Sequence, residues 1–359
     1  MGVLLFFLHE KKGAKEKMWI GLEDLLHAKS CKSYLNKSGV VNLEYTNGYR
    51  IYKWCSEYLD KLDFRIIDFW VVKKDHLGYK RGQKIMSKVE RDQFVSQGGK
   101  VRDISCFDKD TREAMRELLP YLDLRTQAQH GFTKDRDIFT QFKRLAEFSL
   151  TRNFRVSVVS MDLEDAFNQI TTNQIYAILR FIFGLNKKHS EELARRCSRN
   201  GHLFQGNTLA PLIFNIWFIR FYAMIDKNIQ GNNVLILNYA DDITMITLYE
   251  SISWKFVRFI LKLIKQAGFK INKKKLKVRN GKNLEATGLQ YRNNPLGDWK
   301  IYPRNQKRLI HNIRLWRYLD RKGLETTRRL NKVGQYITIR EMLNGLENWL
   351  NRVRTFQPV

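Results

Sequence analysis

Alternating apolar and polar positions at residues 154–161 predict a β-strand that ends by presenting Asp162. Two further apolar runs flank the sequence Tyr-Ala-Asp-Asp at residues 239–242. They predict a hairpin with Asp241 and Asp242 at its tip. Turn chemistry accounts for one aspartate at such a tip, whereas two adjacent acids beside apolar strands indicate a chemical site.

The segments around these strands have apolar residues at helical spacing. An apolar pattern predicts a long buried helix over residues 209–225. The helix is entered through Pro211, which suits a first turn because its missing N–H would have no partner there. Shorter helices are predicted at residues 19–28, 172–183, 191–199 and 254–268. Helices segregated from an antiparallel sheet are typical of an α+β fold.

The net charge of the chain limits the classes of molecule that it is expected to bind. It has 359 residues, with 64 Lys and Arg against 36 Asp and Glu, and a net charge of +28. A hydrophobic content of 43% supports a packed core and excludes general disorder. The surplus of positive charge therefore indicates a polyanionic partner, either nucleic acid or an anionic membrane. No apolar run reaches the roughly 20 residues of a membrane span, so we expect a cytoplasmic protein with no membrane association.

Clustered aspartates in so basic a chain predict metal-assisted phosphate chemistry. Mg²⁺ prefers oxygen ligands and is held by a few carboxylates together with substrate phosphates. Two such ions can activate an attacking 3′ oxygen and stabilise the leaving pyrophosphate. We expect Asp162 and Asp241 to bridge two Mg²⁺ ions.

Seven segments in a fixed order resemble the motifs of reverse transcriptases. Motif A matches residues 160–167, motif B matches residues 205–211, and motif C matches residues 239–242. Each match is weak alone, and their order over residues 98–289 makes the resemblance specific. The remaining matches are two finger motifs at residues 98–102 and 129–132, motif D at 268–272 with Lys275, and motif E at 285–289.

This resemblance implies the architecture of a right-hand polymerase with an α+β fold. In such a fold, the palm combines an antiparallel sheet with helices, and the thumb is helical. The expected parts are an N-terminal extension or finger-associated region at residues 1–90, fingers at 91–150, palm at 151–290 and thumb at 291–359.

The resemblance also implies roles for individual residues. Asp162, Asp241 and Asp242 would be the catalytic, metal-holding acids. Phe167 would act as a steric gate against a 2′-OH, so dNTPs would be the substrates. By residue type alone, Phe167 reads as a core aromatic and Lys275 as part of a solvated lysine cluster. The nucleotide-binding residues expected from the motifs are Lys100, Arg102, Asp165, Ala166, Phe167, Gln205, Gly206 and Lys275.

Residues 302–332 contain many basic residues, interleaved with apolar residues at helical spacing. This pattern predicts an amphipathic thumb helix that contacts the phosphates of a bound duplex. A closing helix at residues 342–353 is expected to form thumb core. The nucleic-acid contacts are expected from Arg304, Arg308, Arg314, Arg317, Arg321 and Arg328.

Among reverse transcriptases, the motifs resemble the bacterial group II intron-like and retron-like enzymes. The resemblance is greatest to the stand-alone, defence-associated "unknown group", because the Asn-Ala-x-x-His segment of retron enzymes is missing. It implies an RNA-directed DNA polymerase that copies an associated structured non-coding RNA into cDNA during antiphage defence. The bound product would be the cDNA duplex, and a protein partner or a homo-oligomer is left open.

Three alternatives stay open. The first is a retron-type reverse transcriptase. The second is RNA-directed RNA synthesis, against which Phe167 argues. The third is a catalytically silent RNA-binding protein with a polymerase fold, against which the three acids argue, because clustered carboxylates repel phosphate unless a metal is present.

Overall fold

The described part of the chain forms two compact units. The first unit comprises Met1–Arg65 and Phe107–Gly281, and the second comprises Ile66–Cys106 and Lys282–Val359. The computed structural model describes residues 4–11, 14–21, 40–72, 83–84, 92, 95–96, 101–150, 156–229, 233–249, 251–281, 284–286, 289–293, 299–303, 306–321, 329–330, 336–337 and 339–356.

Groups of strands are interspersed with helices along the described chain. The strands are β1 (Leu4–Lys11), β2 (Ala14–Gly21), β3 (Ile66–Val72), β4 (Gln83–Lys84), β5 (Val101–Phe107), β6 (Val156–Asp162), β7 (Ser198–Arg199), β8 (His202–Leu203), β9 (Val234–Tyr239), β10 (Asp242–Thr247), β11 (Lys277–Gly281), β12 (Leu284–Ala286), β13 (Leu289–Asn293), β14 (Trp299–Pro303), β15 (Arg329–Leu330) and β16 (Tyr336–Ile337). The α-helices are α1 (Val40–Tyr58), α2 (Lys109–Arg116), α3 (Ile138–Leu150), α4 (Thr172–Ala177), α5 (Lys187–Arg196), α6 (Ala210–Asn228), α7 (Trp254–Gln266), α8 (Gln306–Arg321) and α9 (Ile339–Thr355).

A four-stranded antiparallel sheet in the order β11-β6-β10-β9 is the centre of the first unit. Strand β6 lies between two partners, and nearly all of its side chains are buried. The alternation of apolar and polar residues in β6 would predict burial of one face only, whereas both faces are buried. Ser157 is accommodated because its hydroxyl donates a hydrogen bond to the Tyr249 carbonyl at 2.9 Å. Strands β6, β9 and β10 confirm the predicted strand and hairpin.

Helix α6 confirms the predicted long buried helix. Almost every residue from Ala210 to Tyr222 is buried, because the segment is apolar around most of its circumference. Its aromatic rings pack on Phe269, which lies 5.6 Å from Phe214 and 5.3 Å from Phe218 between ring centroids. The helix is thereby fixed to the segment that follows α7.

Three of the shorter predicted helices are present with changed ends. Helix α4 continues as a π-helix at Ile178–Ile182, and α5 ends before the small hairpin of β7 and β8. Helix α7 begins after Ser253, whose hydroxyl accepts a hydrogen bond from the Phe256 N–H. Each end follows local capping and pairing that periodicity alone does not encode.

The helix predicted at residues 19–28 is wrong where the structure describes it. Trp19 to Gly21 end strand β2, in which Trp19 stands opposite Phe6 on β1. The preceding apolar run provides a strand partner, and this pairing overrides the helical pattern. Residues 22–28 lie outside the described residues.

The second unit contains the basic segment near the C-terminus. Helices α8 and α9 pack through Ile313 and Trp316 on one side and Leu343 and Leu350 on the other. Leu343 and Leu350 of the predicted closing helix are buried, and Leu346 is partly buried against them. That this helix belongs to a thumb stays a prediction. Strands β12, β13 and β14 form an antiparallel sheet in the same unit.

These helices and antiparallel sheets confirm the predicted α+β class. Within the described ranges, the chain has no helix with the length and apolar content required to cross a bilayer. The finger, palm and thumb boundaries stay a prediction.

Candidate active site

The candidate site lies where two neighbouring strands end. Asp162 is the last residue of β6, and Asp242 is the first residue of β10. The antiparallel register places these two residues opposite each other. Asp241 lies in the two-residue turn between β9 and β10, so the sheet brings the three predicted acids together.

The turn has a strained backbone and is tied on two sides. Ala240 adopts a φ of 54°, in the left-handed region that residues with a side chain rarely occupy. Its carbonyl accepts a hydrogen bond of 2.8 Å from the Asn238 side-chain amide. The Asp241 carbonyl accepts one of 3.0 Å from the Leu163 N–H. These bonds fix the turn to the end of β6.

Lys275 is the lysine that reaches the acids. The Asn272 N–H donates to the Asp162 carbonyl at 2.8 Å, which holds the lysine-rich turn Lys273–Lys275 beside β6. The Lys275 ammonium then donates to Asp162 Oδ1 at 2.6 Å. One lysine of the cluster is thus selected by backbone geometry.

The neighbouring acids and burial disfavour the charged form of Asp242. Desolvation by the surrounding protein, together with the charges of Asp241 and Asp162, raises the pKa of Asp242 to about 6. The Lys275 ammonium acts in the opposite direction. The residue nevertheless keeps an exposed surface at the rim of the site. Carboxylates that raise one another's pKa in this way attract a cation.

The donor set suits a divalent cation. The groups are carboxylate oxygens, which hard cations prefer, and the Lys275 ammonium already supplies a positive charge to one of them. As the side chains stand, no group of three or more His, Cys, Asp or Glu residues in the described ranges is arranged to hold a metal ion. A cation at Asp162 would therefore take the place of the Lys275 contact.

Phe167 follows the end of β6 and packs against two aromatic rings. It begins the short turn Phe167–Gln169 after β6. Its ring centroid lies 5.8 Å from that of Phe214 on α6 and 6.0 Å from that of Phe132. The Phe167 ring is half-buried.

Asp165 and Ala166 directly precede Phe167 in the chain. Asp165 has a φ of 47°, and its Oδ2 accepts a hydrogen bond of 2.7 Å from the Asn168 side chain. Ala166 is buried. Whether this segment contacts a nucleotide, as the motifs imply, stays a prediction.

Gln205 and Gly206 follow strand β8 and precede α6. The Leu203 N–H donates to the Ile170 carbonyl at 2.8 Å, which places this segment beside the residues that follow Phe167. Gly206 has a φ of 104°, a conformation that favours glycine. Gln205 is half-buried and Gly206 is exposed.

The remaining predicted residues are placed only in part. Lys100, Arg304 and Arg328 lie outside the described residues, as do the side chains of Arg102 on β5 and Arg308 on α8. On α8, the side chains of Arg314, Arg317 and Arg321 are exposed.

A basic cleft lies between α8 and α9. Its volume is about 340 Å³, and Arg314, Arg317 and Arg354 contribute to its lining. Glu347 neutralises Arg317 through a contact of 2.7 Å between Oε1 and Nε. The other lining residues are Ile310, Ile313, Leu350 and Asn351.

A buried polar network behind the turn is a feature that the sequence analysis missed. The Gln129 side chain donates to the Asn215 carbonyl at 2.7 Å, and the Asn215 side chain donates to the Gly131 carbonyl at 3.1 Å. Asn238 belongs to the same network. The one available signal was Asn215, a polar residue within the apolar run of α6.

Comparisons with known proteins identify similar sequences and structures. A family described as reverse transcriptase (RNA-dependent DNA polymerase) matches residues 91–295, more than half of the chain. The curated Retron Ec86 reverse transcriptase of Escherichia coli is 26% identical over 161 residues, which cover 44% of this chain and 49% of that protein. The chain therefore spans about half the length of this curated relative.

Among solved structures, two Candida telomerases are similar. Apo telomerase from Candida tropicalis has a TM-score of 0.46 and 12% identity, covering 80% of this chain and 68% of that one. Telomerase from Candida albicans with a fragment of telomeric RNA has a TM-score of 0.43 and 14% identity, covering 75% and 53%.

Proposed function

Because the chain belongs to the reverse transcriptase family and has its α+β polymerase fold, we propose that it synthesises cDNA from an associated structured non-coding RNA. The single observation that carries the proposed activity is the meeting of Asp162, Asp241 and Asp242 at the ends of β6 and β10, with Lys275 against Asp162. Clustered oxygen ligands in a chain of charge +28 fit chemistry on a polyanion.

In this proposal, Asp162 and Asp241 hold Mg²⁺ and Asp242 assists them. Two bound Mg²⁺ ions supply Lewis-acid stabilisation of the attacking 3′ oxygen and of the leaving pyrophosphate. The Lys275 ammonium, once it leaves Asp162, neutralises charge on the pyrophosphate. Its position in the turn Lys273–Lys275 keeps it within reach of the acids.

The residues around the acids would select and hold the nucleotide. Phe167, supported by Phe214, would exclude a 2′-OH. The backbone at Asp165 and Ala166 would lie along the triphosphate, and Gln205 and Gly206 would form the floor of the pocket. Lys100 and Arg102 would neutralise triphosphate charge.

The second unit would hold nucleic acid along α8. The cleft between α8 and α9 is lined by Arg314 and Arg354 together with apolar side chains, and Glu347 pairs with Arg317. Guanidinium groups suit phosphate because they donate several hydrogen bonds in a fixed plane. We assign this cleft to the backbone of the template and cDNA product. The proposed parts are fingers at 91–150, palm at 151–290 and thumb at 291–359, after an N-terminal region at 1–90.

The proposed setting is antiphage defence in the cytoplasm, as in the "unknown group" enzymes that the motifs resemble. A retron-type enzyme is the second candidate, and the 26% identity to the Retron Ec86 reverse transcriptase favours it. A protein partner or a second copy of the chain would add to either assembly.

The test begins with the protein purified from its host. The co-purifying nucleic acid is sequenced, and Mg²⁺ and labelled dNTPs are added to the wild type, to Asp241→Asn and to Glu191→Gln. Glu191 is an exposed carboxylate 3.8 Å from Lys187, so its variant loses the same charge away from the site. We expect one predominant structured RNA and cDNA copied from it by the wild type and Glu191→Gln only.

Two results would contradict the proposal. RNA bound in proportion to cellular abundance would exclude a dedicated template. Synthesis that survives Asp241→Asn would exclude the acidic cluster as the catalytic site. A defined RNA without any synthesis would favour the RNA-binding protein instead.

A further inference from the structure

Asn238 is a fully buried polar residue three positions before Asp241. Its side chain uses both ends of its amide. Oδ1 accepts a hydrogen bond of 2.6 Å from the Tyr222 hydroxyl, and Nδ2 donates one of 2.8 Å to the Ala240 carbonyl. Burial raises the pKa of Tyr222 well above its usual value, so the hydroxyl keeps the proton that it donates.

The backbone of Asn238 is equally engaged. Its N–H donates to the Ala128 carbonyl at 3.0 Å, and its carbonyl accepts from the His130 N–H at 2.9 Å. These two bonds form a parallel bridge between Gln129 and Asn238 on the outer side of β9. The two-residue turn of Ala240 and Asp241 is called the acidic turn below. Asn238 therefore joins this turn to two other parts of the first unit, residues 128–130 and helix α6.

The segment behind the turn approaches it without intervening side chains. A methyl group added at Gly131 would lie 2.0 Å from the Ala240 nitrogen, so the two backbones are in direct contact. Gly131 is held from the other side by the Asn215 side chain of α6. The support behind Ala240 is thus rigid backbone, and the Asn238 amide is the side-chain tether within it.

We propose that Asn238 is a positioning residue for Asp241. Ala240 occupies a left-handed conformation that an alanine rarely adopts, and the Nδ2 hydrogen bond to its carbonyl holds it there. Asp241 is the next residue, so a relaxed Ala240 would rotate the peptide that carries it. This inference rests on the proposed polymerase function, since Asp241 acts only if the chain has that activity.

The test separates the bond to Ala240 from the other bond of the same amide. Tyr222→Phe removes only the bond to Oδ1 and serves as the control. The double variant Tyr222→Phe with Asn238→Leu removes both bonds without leaving the buried hydroxyl of Tyr222 unpartnered. Thermal unfolding is compared between the two, and primer extension gives kcat and the KM for dTTP.

We expect kcat of the double variant to be about tenfold to a hundredfold below that of Tyr222→Phe, because small misplacements of a catalytic group have effects of this size. The KM for dTTP should change by less than about threefold, since the Asn238 amide is bonded to Tyr222 and Ala240, neither of which is a proposed nucleotide-binding residue. Adding Ala240→Gly should recover part of kcat, because glycine adopts the left-handed conformation without the tether. A purely structural role would predict no such recovery.

Equal kcat values for the double variant and Tyr222→Phe would overturn the inference, as would a deficit that Ala240→Gly does not reduce. If leucine lowers the melting temperature, Asn238→Ala in the Tyr222→Phe background removes the same bond without added volume and is judged by the same two criteria. Absence of synthesis by the wild type would instead refute the proposed function, so the two failures are distinguishable.

Discussion

Lys275 shows how one residue is selected from several alike. Residue type does not distinguish Lys273, Lys274, Lys275 and Lys277, and only the resemblance to motif D indicated Lys275. The backbone bond from Asn272 to Asp162 sets the register of this turn and brings the Lys275 ammonium to the carboxylate. Residue type and order predicted the acids of the site, whereas this pairing depends on a long-range contact that local pattern does not contain.

Phe167 provides a prediction at the same scale. We expect Phe167→Val to lower the preference for dNTP over rNTP by about tenfold to a hundredfold, because the smaller side chain leaves room for a 2′-OH. The measurement is kcat/KM for dCTP and CTP on one primed template.

Phe256→Val is the matched control for this change. Phe256 lies on α7, is half-buried and stacks on Phe259 at 6.4 Å between ring centroids. The control should keep the wild-type preference. An unchanged preference in Phe167→Val would show that the ring is only part of the core formed with Phe214.

At the scale of elements, long apolar patterns were the most predictable. Strand β6, the β9–β10 hairpin and helix α6 were all expected, because their burial is encoded in a continuous run of residues. Strand β2 was not expected. Its conformation depends on pairing with β1, and a partner segment overrides the helical tendency of the local sequence.

The contact between Gly131 and the acidic turn gives a prediction for two elements together. We expect Gly131→Ala to destabilise the fold by about 1–3 kcal/mol, because overpacked sites lose stability on this scale. The added methyl group would meet the Ala240 backbone at 2.0 Å, and backbone atoms yield less readily than side-chain ends. The measurement is the free energy of unfolding in urea.

Gly345→Ala is the control for this prediction. Gly345 lies in α9, and no atom lies within 4 Å of the position of the added methyl group. We expect this variant to gain about 0.5–1 kcal/mol, because alanine is the better helix former. Equal effects of the two substitutions would argue against close packing behind the turn.

At the scale of the whole molecule, net charge predicted a polyanionic partner without locating its binding surface. Sequence analysis did not predict which segments of the chain make up the second unit. Residues Ile66–Cys106 and Lys282–Val359 belong to one unit although they are far apart in the chain. Local patterns report neighbours in sequence, so they do not reveal that these segments share a unit.

The charge also gives a prediction for nucleic-acid binding. We expect the double variant Arg314→Gln with Arg354→Gln to reduce the salt dependence of RNA affinity by about 1.4 in the log–log slope, roughly 0.7 for each phosphate that is no longer neutralised. The measurement is fluorescence anisotropy of a labelled RNA over a range of KCl concentrations.

Arg195→Gln with Arg196→Gln removes the same charge from the first unit. These two residues pair with Glu192 at 2.6 Å and 2.7 Å on α5, whereas the cleft belongs to the second unit. Their variant should retain most of the wild-type slope. Equal slopes in the two double variants would show that the cleft makes no specific contribution to RNA binding.

The bridge between Gln129 and Asn238 has a consequence for self-association. Strand β9 is the outermost strand of its sheet, and an unpaired strand edge readily recruits a strand from another molecule. At Asn238, both edge-facing backbone groups are already bonded within the chain, to Ala128 and His130. The segment that supports the acidic turn therefore also seals this end of the sheet against aggregation between copies.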